Sequence, residues 1–253
     1  MNATAVRQPC QGVLQILYFN WRSYLATAAV VAAALLAAPL LPRLWRLGVL
    51  LGVAPALFWM ASSLLVSHYV YDRFPLYDLN WITRALSRTP NRWLNIHCGL
   101  DETSGLLAAI FPDAAFDVVD IFDPRVMTEA SIRQARQIKR GAIAAQPARF
   151  DDLPFGSGTF DAAFCIFAAH ELRRDCQRTS LFLEISRILS PGGELVLMEH
   201  SRDLWNLLAF GPGFLHFFSQ RAWRTTAFKA GLRVQAELSM TPFVHVFVLR
   251  RII

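Results

Sequence analysis

Residues 92–101 read RWLNIHCGLD, a short apolar run of Trp93, Leu94 and Ile96 that stops at Gly99, and residues 103–111 (TSGLLAAIF) behind it have helical character. A strand that ends in glycine and turns into a helix opens a βαβ unit, so the segments that follow decide the sheet. They alternate as a parallel sheet requires. Residues 115–121 (AFDVVDI) are a β-rich run ending in acids, 128–139 are helical, 142–145 make a weak strand and 160–167 (FDAAFCIF) a buried one. An amphipathic helix over 178–189, a strand over 194–199 after the turn Pro191-Gly192-Gly193, a helix over 220–230 and terminal strands over 232–239 and 243–250 complete the pattern. The reading predicts an α/β fold: a Rossmann-like, seven-stranded, mostly parallel sheet with one antiparallel end strand and helices on both faces.

Upstream of this domain the composition changes. The chain has 253 residues, 54% hydrophobic and 17% charged, which rules out disorder and lies below the roughly 25% charge of a soluble domain. The apolar surplus sits between Tyr24 and Val66, where Arg43 and Arg46 are the only charges. As helices, the runs 24–41 and 47–66 would rise about 27 and 30 Å, near the thickness of a bilayer's hydrocarbon. The short PRLWR segment at 42–46 combines turn, charge and interfacial aromatic character, so the pair reads as a transmembrane hairpin with both outer ends on one side. Arg7 and Arg22 before it, and Arg73, Arg84, Arg88 and Arg92 after it, bias those ends inward. A cleaved signal peptide does not fit, because the first run starts late and a second follows at once. A buried hairpin in a soluble core, or a monotopic anchor lying in one leaflet, is the competing reading. The expected organisation is an interfacial segment 1–23, a hairpin 24–66, a juxtamembrane linker 67–90 and a catalytic-size domain 91–253. The linker's aromatic stretch HYVYDRFPLYDLNW (68–81) either lies against headgroups or roofs a ligand pocket.

The net charge of +6, from 25 Lys+Arg against 19 Asp+Glu, suits an anionic membrane surface. Basic residues are scattered and make no stripe with aromatics, so no nucleic-acid partner is expected. Cys10, Cys98, Cys165 and Cys176 form neither CxxC pairs nor a dense scaffold, which points to a reducing compartment.

Ligands of open α/β sheets bind beyond the carboxyl ends of the strands, near the reversal of strand order. That singles out His97, Cys98 and Gly99, then Asp120 and Asp123, Asp151 and Asp152, His170 and Glu171, and finally Glu199 and His200. The order of LNIHCGLD (94–101), VVDIFDP (118–124), FDDLPF (150–155) with Phe160-Asp161, and RILSPGGEL (187–195) resembles a class I S-adenosylmethionine-dependent methyltransferase over about residues 91–250. The resemblance implies S-adenosylmethionine as cofactor. Gly99 would let the backbone approach its methionine part, Asp120 or, one register on, Asp123 would accept from the ribose hydroxyls, and Asp151 or Asp152 would meet the adenine amine. Asn95 and His97 stand where the family carries an acid and a glycine; Asn95 would accept from the cofactor's amino group, and His97 would either point away from the cofactor or occupy part of its usual space.

His170, Glu171, Glu199 and His200 bring imidazoles and carboxylates to the place of a methyl acceptor. Three readings stay open: a general base, a metal site of the Zn or Fe kind, or bracing of loops. No compact motif such as HExxH is present, so no metal site is assigned. Residues 204–219 (LWNLLAFGPGFLHFFS), with His216, are expected as a lid or acceptor-pocket wall, or as a face docked on the hairpin or membrane. The expected function is a membrane-anchored methyltransferase acting on a small hydrophobic or lipid-like acceptor, in the inner (cytoplasmic) membrane with its catalytic domain facing the cytoplasm. A non-catalytic, membrane-tethered binding or assembly module is the competing expectation, because the motif keeps a single glycine.

Overall fold

The computed structural model describes residues 8–138 and 143–252. Its sheet runs β3-β2-β1-β4-β5-β7-β6, with β1 Arg92–His97, β2 Ala115–Asp120, β3 Gln146–Pro147, β4 Phe160–Ile166, β5 Leu189–His200, β6 Leu232–Thr241 and β7 Val244–Arg251. The neighbours from β3 to β5 are parallel, and β7 runs antiparallel between β5 and β6. Strand β1 buries five of its six residues, as a central strand covered on both faces must. The weak strand expected over 142–145 begins on a residue outside the described ones, and the short strand in that region is Gln146–Pro147. The expected Pro191-Gly192-Gly193 turn instead lies within β5 as a bulge, where the register jumps from Phe160↔Leu189 to Ala162↔Glu194.

Alternation along the strands builds a core on each face. Leu94, Ile96, Leu195 and Leu197 pack with α6 (Asp175–Ile188) and α8 (Gln220–Lys229) through Phe182, Ile185 and Trp223. Trp93, Phe164, Val196 and Val246 face the other way, onto Leu107 of α4 (Ser104–Ile110) and a layer from the segment after the hairpin. That segment runs through a π-helical turn, Tyr69–Arg73, and a short helix α3 (Ile82–Ala85), and buries Val70, Leu76, Leu79 and Ile82 completely. Four such side chains, each worth about 1.5–3 kcal/mol of burial, fix it to the sheet. Helix α5 (Ala130–Ala135) follows β2, and α7 (Leu204–Phe210) follows β5.

The two apolar runs are helices longer than the runs themselves, α1 (Gln11–Ala37) and α2 (Arg43–His68). At their turn the Arg46 guanidinium donates to the carbonyls of Ala38, Pro39 and Leu41 at 3.1, 3.1 and 3.3 Å, satisfying groups that the end of a helix leaves open. Tyr24 and Ser63 hydroxyls meet at 2.8 Å between the helices. At the other end Asp72 accepts from the first N–H groups of α1, Gly12 at 2.6 Å and Val13 at 3.1 Å, placing a carboxylate at the positive end of the helix dipole. The outer faces stay bare, with Leu36, Leu40 and Leu44 79%, 86% and 83% exposed.

Candidate active site

A cavity of about 870 Å³ opens beyond β1 and β4, the strands between which the strand order reverses. Its floor is made of strand-end residues, His97, Cys98, Ile166, Phe167 and Ala168. Its walls rise into the hairpin through Ile16, Phe19 and Asn20 of α1 and Pro55, Ala56, Trp59 and Met60 of α2. Sheet rim and apolar helices therefore enclose one space.

At one end β1 lines the cavity through His97 and Cys98, while Gly99, and Asp120 at the end of β2, stand beside the lining and not in it. Gly99 takes φ +156° as β1 turns, and a Cβ there would meet the Arg136 side chain at 2.5 Å. The Gly99 N–H donates to His97 Nδ1 at 3.2 Å, so the proton of this imidazole sits on Nε2. Nε2 is buried with no partner among the described residues, and His97 lines the cavity. Burial holds the His97 pKa below its ordinary value, although Asp101 and Asp120 pull it back. Asp120 ends β2 with one oxygen on the Phe122 N–H (3.0 Å) and the other on Arg136 (2.7 Å), which also stacks 4.1 Å over the Phe122 ring.

Asn95, Asp123, Asp151 and Asp152 also stand apart from the cavity lining. Asn95 is 1% exposed and donates to Thr103 and Ser104 hydroxyls at 3.0 and 2.7 Å, bracing the turn after β1. Asp123 pairs with Arg125 and Asp151 with Arg149, each two residues away. Asp152 bridges to Arg149 in the same turn.

At the opposite end β4 and β5 bring the four predicted acceptor-side residues together. Phe167, at φ +51°, bends the chain so that Ala168–His170 cross the cavity floor, a left-handed conformation that costs an aromatic residue about 1–2 kcal/mol. His170 Nδ1 bonds Glu199 at 2.7 Å, and its Nε2 lies 3.5 Å from Glu171 Oε1. Burial alone would lower the His170 pKa, but the Glu199 and Glu171 carboxylates overcome it and raise it to about 10. His200 is different: its Nδ1–H donates to the Phe243 carbonyl at 2.8 Å, and Nε2 accepts from the Tyr71 hydroxyl at 2.6 Å. Burial pushes it down to about 4, so it is a neutral post for Tyr71. His216 stands across from His170, ring centroids 5.2 Å apart, and is also lowered to about 4, first by burial and then by the charge on His170. Burial raises the Cys98 thiol well above its usual range and so keeps it protonated.

The expected lid is α7 and the 3-10 segment Gly211–His216. It docks on the hairpin, where the Ser62 hydroxyl donates to the Leu208 carbonyl at 3.1 Å and Trp59 lies against Gly211. Tyr71 and Tyr77 from the segment after the hairpin line the same cavity. Tyr77 and Gln15 both donate to Glu102, at 3.2 and 3.1 Å, joining this segment, α1 and the turn after β1. Arg136, Gln15 and Glu102 were not singled out from sequence; polar residues in an otherwise apolar helix were the one available signal, at Gln15.

This strand order, with its rim of Gly99 after β1 and Asp120 after β2, is that of the S-adenosylmethionine-dependent methyltransferase fold. Residues 94–197 match the family model described as a methyltransferase domain. An O-methyltransferase of Penicillium expansum is 33% identical over 111 residues, 44% of this chain and 38% of the relative. A ubiquinone/menaquinone biosynthesis C-methyltransferase of Syntrophotalea carbinolica is 31% identical over 118 residues, 47% of each chain. The chain thus spans half or less of the length of these curated relatives. Among solved structures, geranyl diphosphate C-methyltransferase from Streptomyces coelicolor A3(2), in complex with Mg2+, geranyl diphosphate and S-adenosyl-L-homocysteine, superposes with a TM-score of 0.52 at 12% identity, covering 76% of this chain and 84% of that one. Among the described residues the rim offers such a cofactor one unpartnered donor, His97 Nε2–H, while both Asp120 oxygens are held, one by the Phe122 N–H and one by Arg136.

Proposed function

We propose that this chain is a membrane-anchored S-adenosylmethionine-dependent methyltransferase whose acceptor is a small hydrophobic or lipid-like molecule. The observation that carries the reading is the single cavity joining the sheet rim to the gap between two helices whose outer faces are bare and apolar. S-adenosylmethionine, when bound, supplies an electrophilic methyl group on a sulfonium. Gly99 lets the backbone approach it, His97 Nε2–H donates to it, and Asp120 accepts from its sugar once Arg136 leaves that carboxylate. His170, held by Glu199, and Glu171 receive the polar end of the acceptor, while Phe167, Phe210 and Phe217 exclude water. The acceptor enters along α1 and α2 from the bilayer core. Relatives named for ubiquinone/menaquinone biosynthesis and for geranyl diphosphate methylation fit an acceptor of this class. The anchor is the hairpin over 24–66 and the catalytic domain is 91–253, facing the cytoplasm at the inner membrane, the side favoured by the flanking arginines.

The Arg136–Asp120 pair favours a second reading, a non-catalytic assembly module whose cofactor rim is kept closed. Incubation of the full chain in detergent with methyl-labelled S-adenosylmethionine and a membrane-lipid extract separates the two. Label in the organic phase supports the enzyme; none, together with no binding of S-adenosylhomocysteine, supports the module.

A further inference from the structure

We propose that His170, Glu171 and His216 bind a divalent transition-metal ion of the zinc and iron class, whose open positions face the cavity and take an oxygen of the acceptor. This rests on reading the cavity as the acceptor pocket and deepens it. One ligand atom from each of the three residues lies within 4.8 Å of the other two. Tetrahedral bonds of about 2.1 Å would set neighbouring ligands about 3.4 Å apart, and His170 Nε2 already stands 3.5 Å from Glu171 Oε1. The remaining closure belongs to His216, on the short turn Gly211–His216.

Residue type selects the ion. Two imidazoles and one carboxylate suit Zn2+ or Fe2+, whereas Mg2+ and Ca2+ want oxygen ligands. The surroundings are those of a metal-ligating histidine. Glu199, 1% exposed, holds His170 Nδ1 at 2.7 Å, so an ion that displaces the Nε2 proton meets the carboxylate–histidine pairing that fixes a ligand imidazole. Glu171 is 7% exposed, and its Oε2 has no hydrogen-bond partner among the described residues. A buried carboxylate oxygen without a donor is costly, and a cation removes that cost. Arg173 donates to the carbonyls of both His170, at 3.2 Å, and His216, tying the two ligand-bearing segments together. Three protein ligands on a cavity wall leave coordination positions open, as catalytic sites require.

The test takes the full chain in detergent, strips it with a chelator, and titrates it with Co2+, read by its visible absorption, then with Zn2+ in competition. The expected result is one ion per chain, with affinity falling at least about tenfold in His216→Ala and Glu171→Gln. Glu199→Gln, altering a positioning residue, lowers it about 10- to 100-fold. His245→Ala, outside the cluster, leaves it unchanged. A wild-type chain that takes up no Co2+, or His216→Ala and Glu171→Gln chains that bind as the wild type does, overturns the site. Binding of S-adenosylhomocysteine on the same samples reports that each variant is folded. Cofactor binding without metal uptake overturns the metal site alone; loss of both in the wild type overturns the methyltransferase reading as well.

Discussion

Arg136 governs how open the cofactor end of the rim is, because its guanidinium holds Asp120 at 2.7 Å and its stem lies over Gly99. A half-buried pair of this kind is worth about 0.2–1 kcal/mol. Arg136→Ala should therefore tighten S-adenosylhomocysteine binding roughly two- to fivefold; weaker binding in the titration would mean that Arg136 itself grips the cofactor. Glu184 sets an acid limit on the fold. It accepts from the Leu153 N–H at 2.8 Å and pairs with Arg187, and the Arg187 bond holds its carboxyl below the ordinary range. A depressed carboxyl contributes stability above its unfolded pKa and loses it as pH falls through the folded one. Below about pH 4.3 the wild type should lose roughly 1 kcal/mol that Glu184→Gln never had, so their melting temperatures should converge on acidification. At this scale the strand-end positions of Gly99, His97 and Asp120 were legible, since a period-two strand puts its last residues on the rim. The local partners of Asn95, Asp123 and Asp151, hydroxyls or arginines within a few residues, were not singled out beside them. The reach of Arg136 across the rim depends on where α5 lies, which no local pattern encodes.

Elements show where local pattern and tertiary packing part. The α6 and α8 helices and all the long strands followed from periodicity, but α1 begins at Gln11, well before the apolar run at Tyr24. Hydropathy marks only the bare part of that helix; the earlier turns carry Gln15 and Asn20 toward the cavity and start on the distant Asp72. Asp72→Ala should cost about 1 kcal/mol and lower the melting temperature of the chain in detergent. Gly211 is the corresponding pin at the lid. Its φ of +54° and the Trp59 ring 2.6 Å from a built Cβ leave no space for a side chain. Gly211→Ala should destabilise by more than about 1 kcal/mol and reduce methyl transfer to a hydrophobic acceptor more than it reduces cofactor binding. Equal losses in both assays would detach the lid from the acceptor.

Over the whole molecule, the hairpin helices and the sheet rim line one cavity, so the hairpin is part of the candidate site. Two helices of 27 and 26 residues with strongly exposed leucines fit a bilayer better than water. After an alkaline carbonate wash, cell membranes should retain the chain; its release into the supernatant would favour a surface-bound hairpin. The composition break at Tyr24 marked the two apolar helices, whereas the descent of the cavity between them needed the folded chain. The central claim is a cofactor held at the rim by Asp120. Calorimetric titration of the full chain with S-adenosylhomocysteine should show one saturable site, weakened about tenfold or more in Asp120→Ala. No saturable heat, or equal affinity in the variant, would contradict it.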